Sequence, residues 1–291
     1  MVPVATSSGV TIYCPIDGRY AFYNSPYPAH HLMSGIDIYP NPIINEPMPS
    51  PIDGKVLLVR YVKAPSGHGF EAPKFDVVTI IKSIIDPKSV IKILHVETKA
   101  KEGESVALGE ALGPLIRSGY FGYQTPLHAH VEVRPVGDPL RVRGGYPIDS
   151  LFYLNDLDLT EEITGVVTSS RLGYALIKLN LTTPGVVADI GGIPGILDGG
   201  MPIYGWFGAH LKNPKKNTPV KLLGKKIGNV TDIRPRTCVA DCTDFELMIE
   251  STHVDAFFIF LPGGEPTLAI TSRKLGELDL DVNSEVSLMV R

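Results

Sequence analysis

Only three cysteines, Cys14, Cys238 and Cys242, occur in 291 residues, too few for a disulfide framework. Cys238 and Cys242 enclose three residues, and without a second zinc pair they read as ordinary buried thiols. No apolar run approaches the roughly eighteen residues that a spanning helix needs. The segment Met1 to Ser8 carries neither the basic region nor the apolar stretch of an export signal, so a cytoplasmic chain without a membrane partner is expected. Basic residues do not dominate either: 27 Lys and Arg face 31 Asp and Glu, for a formal net charge of -4. With no basic stripe interleaved with aromatics, nucleic acid is excluded as a partner. The glycine-rich stretch Gly191 to Gly200 has neither a dinucleotide nor a Walker spacing and reads as turns. Turn residues are what the chain does have. Its 29 Gly and 25 Pro punctuate short Val, Ile and Leu runs, which favours many strands and disfavours long helices. A hydrophobic share of 44% over this length suits two domains.

Between Leu127 and Val133 the chain reads Leu-His-Ala-His-Val-Glu-Val. A strand sends alternate side chains to opposite faces, so Leu127, Ala129, Val131 and Val133 share one face, and His128, His130 and Glu132 the other. Two adjacent imidazoles repel when protonated and gain nothing in packing when neutral. They suit a divalent cation, one ring as ligand and the other beside its open position. A solvated strand face can carry such a pair too, so partners decide the matter. His30, His31 and Asp37 stand ahead of the strand-like Ile38, and His95 lies in the β-branched run Val90 to Val96. Two imidazoles and a carboxylate make a common open zinc set with a fourth position for water.

The order of these features resembles the lysostaphin/LytM-type zinc metallopeptidases, peptidase family M23. The matching segments are His31 to Asp37 with Gly35-Ile36-Asp37-Ile38, then Ile93-Leu94-His95, then the turn Gly103 to Gly113, then His128-Ala129-His130-Val131-Glu132-Val133. The resemblance spans roughly residues 10 to 140. It implies His31, Asp37 and His130 as zinc ligands, with His30 as the alternative to His31. It also implies that His95 and His128 flank the reacting water and the developing oxyanion. A peptide substrate, hydrolysis of its amide bond, and an all-β fold of the duplicated hybrid motif type (a barrel-sandwich hybrid) follow from the same resemblance. In the family three residues separate the first histidine from the aspartate, whereas His31 and Asp37 enclose five.

A domain boundary is expected near Gly144-Gly145-Tyr146-Pro147 or just beyond, in Leu154 to Asp158, where apolar alternation gives way to turn residues and acids. The organisation expected is a metallopeptidase-like domain over residues 1–150 and a β-rich accessory domain over 151–291. Pro-Ile-Asp-Gly occurs twice, from Pro15 and from Pro51, each time as a turn ahead of a strand. Later strands are expected at 165–167, 174–179, 256–261, 279–282 and 285–290. His68 and His210 are expected in exposed loops. Two other functions stay open. A non-catalytic β scaffold could keep part of the histidine set, and a phosphocarrier domain on the same motif would use paired histidines for phosphoryl transfer. Asp37 discriminates, because a zinc site needs its carboxylate and a phosphohistidine does not.

Overall fold

The computed structural model describes residues 1–40, 47–67, 69–122, 124–171, 173–272, 278 and 280–291. His68 and Asp279, the latter expected to open a strand over 279–282, lie outside the described residues, and residues 280–282 form no strand. The protein is all-β, as its turn-rich composition implies: the described residues hold 26 strands and one helix of 4 residues. No helix among them is long and apolar enough to cross a membrane. The chain divides into two compact units, Met1–Tyr20 with Tyr27–Leu151, and Ala21–Pro26 with Phe152–Arg291.

The first unit contains β1 (Val2–Ser7), β2 (Val10–Cys14), all but the last residue of β3 (Arg19–Ala21), α1 (Pro28–His31), β4 (Ile36–Tyr39), β5 (Met48–Pro49) and β6 (Gly54–Lys63). It continues with β7 (Phe75–Ser83), β8 (Ser89–Leu94), β9 (Ser105–Val106), β10 (Ala111–Gly113), β11 (Ala129–Pro135) and β12 (Asp149–Ser150). Its main sheet runs β3-β4-β11-β8-β7-β6-β9, antiparallel from β4 onward. One face is mainly apolar: Ile36, Ile38, Ala129, Val131, Val133, Ile91, Ile93 and Ile81 are all buried, and Thr79, the partner of Ile93, meets the Thr98 hydroxyl at 2.7 Å. This is the face the alternation in β11 predicts. The opposite face departs from that pattern's usual meaning. Lys92, Glu132 and Arg134 lie on it and are buried as well, so the polar half of the alternation faces protein and must satisfy its charges internally.

The second unit contains β13 (Ile163–Arg171), β14 (Tyr174–Leu179), β15 (Val187–Ile190), β16 (Pro194–Met201), β17 (Trp206–His210), β18 (Pro219–Leu222) and β19 (Lys225–Arg234). It ends with β20 (Thr237–Cys242), β21 (Leu247–Ile249), β22 (Thr252–Val254), β23 (Ala256–Ile259), β24 (Leu261–Pro262), β25 (Thr267–Thr271) and β26 (Glu285–Val290). Strand β15 pairs with both β18 and β16, so the run β15-β18-β19-β20-β17-β16 closes into a six-stranded barrel. Closure removes two exposed edges. Leu197, Phe207, Ala209, Val220, Ile227 and Val230 belong to its apolar core. His210, expected in an exposed loop, is instead fully buried, with Nε2 3.0 Å from Asp198 Oδ2. The reason is tertiary. Asp198 and His210 share the outer barrel face that residues 21–26 cover: the Phe22 amide donates to Asp198 Oδ2 at 2.9 Å, and the Tyr23 ring fills the space beside Gly208. The three cysteines are free, and burial pushes each thiol up to about 12.

Candidate metal centre

Asp37 and His130 meet because β4 and β11 pair in a register that sets them directly opposite each other. Cross-strand partners project to the same face about 5 Å apart at Cβ, and here His130 Nδ1 lies 2.9 Å from Asp37 Oδ1. The third member comes from α1. Pro28 starts this helix, where its missing N–H costs nothing. Successive helical residues then point about 100° apart, so two neighbouring histidines cannot both face inward. His30 does, with Nε2 3.1 Å from His130 Nδ1 and 3.3 Å from Asp37 Oδ1. His31, the expected first ligand, is exposed. Of the two expected alternatives, the structure brings His30 to Asp37 and His130 and leaves His31 at the surface. Met33, at φ 53°, turns the chain back from the helix. Gly35 then lets it pass His130 closely, where a Cβ would lie 2.5 Å from the ring's Cε1.

His30, Asp37 and His130 offer donor atoms separated by 2.9, 3.1 and 3.3 Å. Four donors at zinc distances of 2.0–2.1 Å would sit about 3.3–3.4 Å apart at the corners of a tetrahedron, so three corners are nearly in place. Asp37 adds a second observation. It is 0% exposed, yet its Oδ2 has no hydrogen-bond partner among the described residues, and His128 Nε2 stands 3.6 Å from it. A fully buried carboxylate oxygen without a donor calls for a cation. Burial opposes ionisation of Asp37, but His128, His30 and His130 outweigh it and hold the carboxyl well below the usual range. The donor set therefore fits a divalent ion such as zinc.

Behind His130 stands a buried charge network. His130 Nε2 lies 3.3 Å from Glu132 Oε1, which also accepts from Lys92 Nζ at 2.8 Å, while Arg134 donates to Glu132 Oε2. A carboxylate behind a ligating imidazole fixes its tautomer and directs the other nitrogen to the metal. Burial would lower the His130 pKa, but its hydrogen bonds to Asp37 and Glu132 raise it to about 9. A metal ion bound there would therefore displace a proton. Burial also opposes ionisation of Glu132, yet His130 and Lys92 draw it from an ordinary 4.5 down to about 2. A depressed carboxylate contributes stability above its unfolded pKa and loses it as pH falls through the folded one. Acid unfolding of the metal-free chain should accordingly steepen between about 4.5 and about 2, and Glu132→Gln should flatten that limb in a circular dichroism titration.

On the other side of the centre, His95 and His128 face each other with ring centroids 5.4 Å apart, and His95 lies 6.4 Å from the His130 ring. His128 stacks on Phe121 at 4.4 Å, and its Nδ1 donates to the Pro126 carbonyl at 2.9 Å. Burial drives its pKa down to about 4. His95 arrives by a backbone irregularity. Leu94 pairs with His130 and shares its face, so unbroken alternation would turn the next residue away. A left-handed φ of 68° at His95 brings the ring back, a conformation that non-glycine residues adopt at a cost. Asp76 holds it there: Oδ2 lies 2.6 Å from His95 Nδ1, and Oδ1 accepts the His95 amide at 3.2 Å. Ser118 Oγ donates to the same Oδ2 at 2.6 Å. Neither Asp76 nor Ser118 is among the site residues expected from the sequence. A lone acid opening the apolar run Val77 to Ile81 was the available signal, since a carboxylate in a buried strand needs a partner.

Residues 12–150 match the family described as "Domain of unknown function (DUF8155) N-terminal domain". Among solved structures, the chain is similar to the antimicrobial peptidase lysostaphin from Staphylococcus simulans at 12% identity and a TM-score of 0.30, over 96% of this chain and 98% of that one. No curated protein matches.

Proposed function

We propose that this protein is a zinc-dependent hydrolase of peptide bonds, with the ion held by His30, Asp37 and His130. The observation that carries the reading is the buried Asp37 carboxylate: Oδ1 converges with two imidazole nitrogens, and Oδ2 has no donor among the described residues. The order of histidine and aspartate segments along the chain, and its resemblance to zinc metallopeptidases, supports the same class. A zinc ion there supplies Lewis acidity toward an amide carbonyl and lowers the pKa of water.

The chain's own groups complete the chemistry. With Nδ1 hydrogen-bonded to a carbonyl and its pKa held down, His128 is neutral near pH 7 and presents a lone pair at Nε2. It can accept a proton or orient a water. His95, backed by a carboxylate, can carry a positive charge during turnover. Phe121 packs against both rings and keeps that side of the site apolar, which strengthens electrostatic interactions within it.

One observation favours a second reading, a non-catalytic scaffold. The His30, His130 and Asp37 contacts are at hydrogen-bond distance, and a proton on His130 satisfies them without metal. Metal content separates the two. Protein purified without a histidine tag is expected to hold one zinc per chain and to cleave oligoglycine or cross-linked peptides. His130→Ala should remove metal and cleavage together. His128→Ala should keep the metal while turnover falls about 10²–10⁴-fold. A parent chain that binds no zinc at micromolar concentration and cleaves nothing leaves the scaffold.

A further inference from the structure

Resting on the hydrolase reading, we infer that Asp76 and Ser118 form a positioning pair that locks His95 with its proton on Nδ1 and its lone pair on Nε2, making His95 the residue that takes the proton in catalysis. The hydrogen-bond pattern around Asp76 supports this assignment. Its Oδ1 accepts two backbone amides, Val77 at 2.7 Å and His95 at 3.2 Å. Its Oδ2 faces the Ser118 hydroxyl and His95 Nδ1, each at 2.6 Å. A carboxylate only accepts, so a neutral His95 must carry its hydrogen on Nδ1. Asp76 and Ser118 are both buried, which shields these bonds from bulk solvent.

The two flanking histidines thereby acquire different roles. His128 hydrogen-bonds a neutral carbonyl, which does little to stabilise an imidazolium, whereas His95 hydrogen-bonds an anion that does. When a water O–H bond breaks as the nucleophile attacks, the new N–H bond forms at His95 Nε2. The Nδ1 proton stays where it is, and Asp76 remains ionised. The left-handed backbone at His95 has a purpose on this account: it places the ring between the Asp76 carboxylate and the His128 and His130 rings.

Asp76→Asn makes the inference testable, because the two backbone amides dictate how the new side chain sits. Its oxygen must stay against the Val77 and His95 N–H groups, which leaves the NH2 pointing at His95 Nδ1. That nitrogen then has to accept, and the hydrogen moves to Nε2. In nitrogen-15 spectra of the full chain with labelled histidine, loaded with zinc, the parent is expected to show His95 protonated on Nδ1 and Asp76→Asn to show it on Nε2. Zinc stoichiometry should not change, while kcat on the cleaved peptide falls about 10³–10⁴-fold at similar KM. Ser118→Ala should keep the parent tautomer with a smaller loss of kcat. A parent His95 already protonated on Nε2, or a folded Asp76→Asn that keeps the hydrogen on Nδ1, overturns the inference. If Asp76→Asn does not fold, the parent and Ser118→Ala spectra still decide it. A tautomer switch in a chain that binds no zinc would support the pairing and sink the metal reading separately.

Discussion

Alanine in place of His30 should abolish zinc binding, and alanine in place of the adjacent His31 should leave it intact. The expectation follows from α1, which buries the first imidazole beside Asp37 and exposes the second. Loss of a supporting partner around a metal costs about 10–100-fold in affinity, and loss of one of three protein ligands should exceed that. Gly35→Ala should imitate His30→Ala while keeping every ligand, because its new methyl would occupy the place of the His130 ring. Competition with a chromogenic chelator measures all three. Equal affinities for His30→Ala and the parent would move the site elsewhere, and a loss confined to His31→Ala would restore the ligand that the sequence spacing suggested.

Glu132→Gln should have the second large effect, this time on stability. The carboxylate is 2% exposed and stands between Lys92 at 5% and Arg134 at 0%. Removing this carboxylate leaves Lys92 without its anion and Arg134 with only the part-exposed Asp138 carboxylate, 3.6 Å away, and breaking such a buried set by deleting one partner costs about 3–5 kcal/mol. The substitution also withdraws the acceptor behind His130, so zinc affinity should fall as well, by about 10–100-fold. Urea unfolding of the metal-free chain, followed by circular dichroism, is the direct measurement. A midpoint within experimental error of the parent would mean that water reaches Lys92 and Arg134 and that the network is not dry.

Local chemistry made much of this protein legible from its sequence. Frequent glycine and proline between short β-branched runs required strands and turns, and the chain is all-β. Alternation along Leu127 to Val133 separated an apolar set from His130 and Glu132, because the side-chain period of a strand is two and depends on nothing distant. Asp37 and His130 carried their chemistry in their residue types. Long-range packing decided the rest. Register set Asp37 opposite His130, and no property of either segment alone fixes register. A four-residue helix chose His30 over His31. One positive φ turned His95 back toward the site against the strand's alternation, and Asp76, 19 residues away in sequence, holds it there. Burial of Lys92, Glu132 and Arg134 on the nominally polar face, and of His210 beneath residues 21–26 in the second unit, depends on which distant segment covers them. Composition near a residue reports its own preference for water. Only the folded chain determines whether water is there.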